Sequence, residues 1–293
     1  GFQKLITSDH PARIDLGTRQ LTDSQFKSFL SDPRFQDTTS RMFDQNGTVL
    51  VEALRVQKKV SPENIDLASR NVHQGVRFEA AAHPSADEKA LRRLAYDGDM
   101  DVRASVAGNN NTPVDLLDEM SRDAVDYYKS GKGDTYDPFA WLRAIAKNPS
   151  TSSKTLDFFL DRENKDFGMG GHTTLASWLR DTVSNHLNLS VDQQKFLARS
   201  SPNAATVSDV LNRPDVAPEV VREAFTSPAL KYNHRMSIWD KILGQKELAK
   251  HLTGNELKYW ADQGGVEYTG PSATAVALTH PQFPADTLNF YLE

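Results

Sequence analysis

The feature that most constrains this chain is a short motif that recurs along it at nearly constant intervals. Four copies read VRFEAAAHP (76–84), VRASVAGNN (102–110), LRAIAKNP (142–149) and AVALTHP (275–281). With weaker copies included, the anchor positions fall near residues 58, 84, 110, 149, 187, 214, 242 and 281. The unit is therefore about 26 residues long, with three insertions of about a dozen residues, and such a period is typical of repeat architectures.

Each unit predicts a pair of short helices. Apolar residues at i and i+4 favour a short first helix, and a following Asn-Pro or Asn-x-x-Pro ends it, because the residue before proline is driven out of the α region. A Ser, Thr or Asn at the join would cap the second helix, as in TPVDLLDEMSRD (112–123). Helices this short are marginal alone and share a core when they are stacked. The sequence therefore predicts an all-α fold, specifically a right-handed α-solenoid of helix pairs, in which DQNGTVLVE (44–52) is the one strand candidate.

The copy at 97–117 carries a pattern that can be compared with known repeats. It reads D-x-D-x-x-V-R-x-x-V-A-x-N-x-x-T-P-x-x-L-L, which resembles the leucine-rich repeat variant family and, more broadly, HEAT-like α-solenoids. The resemblance is strong over 51–160 and weak over 175–292. It implies paired short helices stacked into a superhelix. A described member of the family carries an iron–sulfur cluster ligated by cysteines; this chain has no cysteine, so that cofactor is not carried over and no cofactor is expected.

The ends of the chain depart from the repeat. Residues 1–50 do not follow the period and predict an N-terminal cap segment of loops and short helices, with the α-solenoid repeat domain over 51–293. Within the cap segment, LTDSQFKSFLSD (21–32) predicts a helix that is capped by Thr22 and ends before Pro33. The last apolar stripe reaches Leu292 with no polar cap after it, so we expect either a longer natural chain or a partner that covers this end.

Arginines recur at one point of the unit. Counting back about seven positions from the anchors gives a set of four side chains, namely Arg77, Arg103, Arg143 and Arg180. Asp97 precedes Arg103 by six residues and Asp137 precedes Arg143 by six, which resembles the Asp–Arg ladder of HEAT repeats and favours a structural role in bracing successive pairs. The alternative is that the arginines line one groove and bind phosphates.

The insertions hold the candidate binding residues, because variable loops carry function more often than a scaffold does. In AVDYYKSGKGDTYDP (124–138), aromatic and lysine side chains suit contact with bases or with a peptide: Tyr127, Tyr128, Lys129, Lys132 and Tyr136. The alternative, which we favour, is a solvated turn with the tyrosines packed back on the helices. The glycine-rich ENKDFGMGGHTT (163–174) adds His172, and the third insertion, near 262–274, reads as a turn.

Catalytic and metal-binding patterns are missing from the sequence. The eight histidines show no metal-ligand spacing, and no nucleophile motif such as G-x-S-x-G occurs. His83 and His280 occupy the repeat position where Asn109 and Asn148 stand elsewhere, so a helix-capping role explains all four. The four tryptophans, at 141, 178, 239 and 260, lie on helical stripes and are expected in the core. We therefore expect a protein that is not an enzyme and binds no metal.

The amino-acid composition limits the classes of binding partner that we expect. The chain has 38% hydrophobic and 25% charged residues and a net charge of −5, values typical of a folded protein without a general nucleic-acid footprint. No apolar run approaches the ~20 residues of a membrane span, so we expect no membrane partner and a cytoplasmic location, with a virus particle as the alternative. The leading hypothesis is a scaffold that binds a protein or extended peptide through its concave face and insertion loops. Two alternatives remain: a HEAT-like nucleic-acid-binding protein, including one with a DNA-repair role, and a structural subunit of a larger assembly such as a virus particle.

Overall fold

A computed structural model describes residues 20–38, 43–130, 140–160, 175–214, 216–224, 227, 242, 246–257 and 278–285. Every regular element within these ranges is an α-helix, which confirms the predicted all-α class. The chain divides into two compact units, Gly1–Thr155 and Leu156–Glu293. None of the helices within the described ranges is long and apolar enough to cross a membrane.

The helices are short and follow one another closely. In the first unit they are α1 (Asp23–Leu30), α2 (Pro33–Gln36), α3 (Phe43–Val56), α4 (Pro62–Ala68), α5 (Gln74–Ala82), α6 (Glu88–Leu94), α7 (Met100–Gly108), α8 (Val114–Lys129), α9 (Ala140–Lys147) and α10 (Ser153–Leu160), which extends past the unit boundary. In the second unit they are α11 (Leu175–Val183), α12 (Val191–Ser200), α13 (Ala204–Leu211), α14 (Pro218–Ala224) and α15 (Lys246–Ala249). The predicted boundary at residue 50 falls inside α3.

Polar residues start several of these helices, but the predicted cap of α8 is wrong: Pro113 precedes this helix without a side-chain cap, and the Thr112 hydroxyl donates to the Val106 carbonyl. The hydroxyl of Thr22 accepts from the Gln25 N–H at 3.3 Å, and the Gln25 side chain accepts from the Thr22 N–H at 3.0 Å, so a capping box begins α1 as predicted. Ser190 and Gln193 form the same box at α12. Asp87 caps α6 by accepting from the N–H of its third helical residue. The sequence therefore fixes where helices start because side-chain oxygens satisfy backbone N–H groups that lack a helical partner.

The strand candidate at 44–52 is wrong, because this segment forms part of α3. Its apolar side chains Leu50, Ala53 and Leu54 are fully buried and lie at helical spacing. Gly47 lies against the ring of His73, so closely that an added Cβ would stand 2.7 Å from Nδ1. The Asn-Gly pair that favoured a turn here is thus used for close helix packing instead.

Alternate helices of the first unit contact one another. The first helices of the pairs, α3, α5, α7 and α9, contact one another in chain order, and α4 contacts α6. Helix α1 packs on α4. Its apolar residues Phe26, Phe29 and Leu30 are buried, and its polar residues are exposed. The first helices meet through fully buried apolar side chains: Val76, Ala80, Val102, Val106, Leu142 and Ile145. In the second unit, α12 packs on α13 and α14, and α11 packs on α13.

Histidine and asparagine side chains join neighbouring pairs at the turn that follows each first helix. Nε2 of His83 donates to the carbonyl of Gln57 at 2.8 Å, since its Nδ1 accepts from the Ser85 N–H at 3.0 Å. Nδ2 of Asn109 in turn donates to the carbonyl of His83 at 3.1 Å, and Nδ2 of Asn148 donates to the carbonyl of Asn109 at 2.9 Å. Each of these side chains thus bonds a main-chain carbonyl of the preceding pair. The main-chain carbonyls of His83 and Asn109 accept from the side chain of the next pair. We call His83, Asn109, Asn148 and His280 the rung residues.

The rung residues also close their own turns. The N–H two residues further on donates to the rung side chain in all four cases, at 3.0 Å for His83, 2.9 Å for Asn109 and Asn148, and 3.2 Å for His280. In the second unit, Nε2 of His280 bonds the carbonyl of Ala249 at 2.9 Å. The four side chains therefore share one structural role, but they close the turn after the short helix and bond the preceding unit, rather than capping the short helix as predicted.

Candidate binding surface

Two of the recurring arginines lie near the start of first helices, Arg77 on α5 and Arg103 on α7. Arg77 donates through Nε and Nη2 to both carboxylate oxygens of Asp97, at 2.7 and 3.1 Å. Its Nη1 donates to the carbonyls of Asn71 and Val72 at 2.9 and 3.2 Å. Arg103 instead donates through Nε to the main-chain carbonyl of Asp97. The carboxylate of Asp97 thus binds the arginine of the preceding pair rather than the arginine that follows it by six residues.

The Arg77–Asp97 pair is shielded and strong. Only 21% of the Arg77 side chain and 9% of the Asp97 side chain are exposed. Burial by itself would raise the pKa of Asp97, but hydrogen bonds from Arg77 and from the Asp99 N–H, with the charges of Arg77 and Arg103, lower it overall. This bidentate arrangement is well suited to bracing two successive helix pairs.

The other two recurring arginines differ from this arrangement. Arg143 is half-buried on α9 and stands five residues before the rung residue Asn148, whereas Arg77 and Arg103 stand six residues before theirs. Arg180 lies on α11 in the second unit, with its guanidinium carbon 5.4 Å from the centre of the Phe196 ring. An arginine over an aromatic face gains a favourable cation–π contact.

An aromatic cluster forms where α8 meets α9. The rings of Tyr127 and Trp141 meet edge to face with centres 6.4 Å apart, and the guanidinium carbon of Arg103 lies 5.2 Å from the centre of the Trp141 ring. Trp141 is only 2% exposed, so the expectation that it belongs to the core is confirmed. Its contact with Arg103 was not foreseen; the available signal was a tryptophan at the repeat position that valine holds at 76 and 102.

The candidate residues of the first insertion separate into two groups. Tyr127 and Tyr128 belong to the last turns of α8 and are half-buried, and burial raises the pKa of Tyr128 above its ordinary value. Lys129 is the last residue of α8. Lys132, Tyr136 and His172 lie outside the described residues, as do the insertions near 163–174 and 262–274.

Charged side chains on the second helices pair across neighbouring helices. Arg92 of α6 contacts Asp115 of α8 at 2.8 Å, and Arg93 of α6 contacts Asp66 of α4 at 2.8 Å. Tyr96 donates its hydroxyl to Glu119 at 2.6 Å. Comparable contacts join α1 to α4 and α6 to α4: Lys27–Glu63 at 2.6 Å and Lys89–Asp66 at 3.6 Å. These basic groups therefore already face carboxylates, which reduces their value as a phosphate-binding surface.

Helix α8 carries an excess of acidic groups. Burial, followed by the charges of Glu119 and Asp126, raises the pKa of Asp123, while Arg103 and Arg122 act in the opposite direction. Asp118 is held differently, since its Oδ1 accepts from the hydroxyls of Ser152 and Thr155 at 2.6 and 2.7 Å. The surroundings of Asp123 thus combine the guanidiniums of Arg103 and Arg122 with the carboxylates of Glu119 and Asp126.

The described residues contain no group of three or more histidine, aspartate or glutamate side chains that could hold a metal ion. The side chains at the α8–α9 junction offer hydrogen-bond donors and aromatic faces, which suit recognition of a partner. Compared with known proteins, the chain matches no family model, no curated protein and no solved structure.

Proposed function

We propose that the chain is a non-enzymatic scaffold, a right-handed α-solenoid of the leucine-rich repeat variant type that binds a protein partner as an extended segment. The observation that carries the proposal is the series of rung residues, whose side chains bond the preceding unit, with the carbonyls of His83 and Asn109 accepting from the next rung residue. Such nearest-neighbour bonding is what a one-dimensional stack of equivalent units requires. A stack of this kind presents a long surface to a partner.

The pairing of the basic groups favours a protein partner over a nucleic acid. Arg77 is bonded to Asp97, and Arg92 and Arg93 are bonded to Asp115 and Asp66. A duplex phosphate backbone would have to displace these carboxylates. The net charge of −5 acts in the same direction.

The solenoid part of the proposal is tested by small-angle X-ray scattering of the full chain. A compact globule of this length has a radius of gyration of about 19 Å. A stack of helix pairs would give a clearly larger radius and a distance distribution with a long tail. A value at the compact limit would contradict the solenoid arrangement.

The binding part is tested by selection from a random peptide library on the immobilised full chain. The expected result is enrichment of peptides with a shared motif, whose binding is saturable in solution. The contrary result is that no motif is enriched while the chain binds duplex DNA with an affinity that falls steeply with salt. That outcome would favour the nucleic-acid alternative.

A further inference from the structure

Arg103 differs from its repeat equivalent in how its donors are used. All three nitrogens of the Arg77 guanidinium donate to Asp97 or to main-chain carbonyls. In Arg103, Nε donates to the Asp97 carbonyl, and within the described part of the chain its two terminal nitrogens donate to no acceptor. The side chain is half-buried, and its guanidinium carbon lies 5.2 Å from the centre of the Trp141 ring. A held guanidinium fork is suited to binding a carboxylate.

Trp141 supplies a spectroscopic reporter at the same place. Its indole Nε1 is buried and has no hydrogen-bond partner among the described residues, and the residue is only 2% exposed. Because this nitrogen belongs to the ring beneath the Arg103 guanidinium, its N–H resonance reports on changes at Arg103.

Two carboxylates near Arg103 affect how strongly it can bind an anion. Asp97 is engaged by Arg77, so it does not compete for the outer edge of Arg103. The charge of Arg103 acts to lower the pKa of Asp123, so the two charges interact and the Asp123 carboxylate opposes binding of an anion at Arg103. Removing the charge of Asp123 should therefore strengthen binding of an anion at Arg103.

We infer that Arg103, Tyr127 and Trp141 form an anchor site, here the Arg103 site, for the carboxylate side chain of a partner peptide. The inference rests on the proposed peptide-binding function and specifies the chemistry of the partner. The carboxylate accepts from the terminal nitrogens of Arg103, the Tyr127 ring flanks its aliphatic stem, and the buried Trp141 ring beneath the guanidinium holds Arg103 in place. No contact of this kind is available at Arg77, where Asp97 already occupies the fork.

The test follows the indole N–H resonance of Trp141 by ¹H–¹⁵N NMR in the full chain, with the resonance assigned by its loss in Trp141→Phe. The probe is glutamate capped at both ends as amides, and capped glutamine is the neutral control. We expect a saturable shift with capped glutamate and none with capped glutamine. Arg103→Gln should weaken binding about tenfold or more, whereas Asp123→Asn should strengthen it about two- to fivefold.

Several outcomes would overturn the inference. Equal shifts with capped glutamate and capped glutamine, or unchanged affinity in Arg103→Gln, would do so. Methyl phosphate that binds in place of glutamate would also overturn it, because a carboxylate anchor would then be the wrong chemistry. Thermal melts confirm that each variant is folded, and Arg103→Lys keeps the charge without the fork and should bind more weakly than the native chain.

The same variants separate this inference from the proposed function. If library-selected peptides bind the native chain and Arg103→Gln equally well, the function stands and the anchor site is wrong. If capped glutamate binds at Arg103 but no peptide is selected, the anchor site stands and the scaffold function is wrong.

Discussion

The amide of Asn109 makes three hydrogen bonds in a buried position. Nδ2 donates to the carbonyls of Ala81 and His83, at 2.7 and 3.1 Å, and Oδ1 accepts from the Asn111 N–H at 2.9 Å. Asn109→Ala would remove all three bonds, although the His83 carbonyl would keep its bond from the Ala86 N–H at 2.9 Å. We expect the free energy of unfolding, measured by urea denaturation, to fall by about 2–4 kcal/mol.

Two substitutions control this prediction. Asn109→His should cost less than Asn109→Ala, because His83 makes the same two kinds of bond at the equivalent position. Asn110→Ala, at the exposed neighbour, should change stability by no more than about 0.5 kcal/mol. If histidine at position 109 were as harmful as alanine, the equivalence of the rung residues would be wrong.

The Arg77–Asp97 pair predicts a pH dependence. The folded chain lowers the pKa of Asp97 below the value of about 3.9 in an unfolded chain, so its contribution to stability is present above that pH and is lost as the pH falls through the folded pKa. At pH 7, Asp97→Asn should lower the free energy of unfolding by about 1–3 kcal/mol. The difference between the two proteins should shrink below about pH 4. A difference that is constant from pH 7 to pH 3 would contradict this account.

Close packing at the level of helices depends on a glycine in α3. An alanine Cβ at position 47 would stand 2.7 Å from Nδ1 of His73, and the ring is anchored by the 2.7 Å bond between Nε2 and the carbonyl of Phe35. We expect Gly47→Ala to lower the melting temperature, with a loss of about 1–3 kcal/mol. Gly108→Ala in α7 is the matched control, since its Cβ would meet Ala144 at 4.0 Å and stability should not fall.

The same region shows where sequence patterns mislead at this scale. The Asn-Gly pair at 46–47 is a common turn signal, yet apolar residues at 49, 50, 53 and 54 lie on one helical face and are buried. Tertiary packing decides between the two signals, and the partner ring of His73 is more than twenty residues away in sequence. No local reading of the segment could include that ring.

At the scale of the whole molecule, we expect the loss of one hydrogen bond between helix pairs to affect mainly the helices next to it. The rung bonds join each pair to the preceding pair, so a lost bond should destabilise its neighbours most. In hydrogen-exchange mass spectrometry, Asn109→Ala should raise exchange in α5, α7 and α9 and leave α12 to α14 protected. Ser227→Ala, which removes the 2.9 Å bond to the Ser201 carbonyl, should do the reverse. Uniform loss of protection in both variants would show that the chain unfolds as a single unit.

The period of the sequence predicted the all-helical class, because the apolar spacing that favours a helix lies within one unit. The cap predicted for α8 was wrong, since Pro113 precedes that helix without a side-chain cap. The Arg103–Trp141 contact could not be predicted in the same way. The two residues are 38 positions apart. In the copy after the insertion, the recurring arginine also stands at 143, one position closer to Asn148 than the repeat would place it. Where the earlier copies carry arginine, six residues before the rung residue, this copy carries Leu142, which is buried. The ring of Trp141, the residue before it, lies under the Arg103 guanidinium.

The bond from Asn148 to the carbonyl of Asn109 spans 39 residues, whereas the bond from Asn109 to His83 spans 26. The two bonds have nearly the same length, 2.9 and 3.1 Å, so the added residues between α8 and α9 do not disturb the joint. This connection therefore tolerates changes in length. It is a position at which evolution, or an engineer, can graft new sequence while the scaffold keeps its geometry.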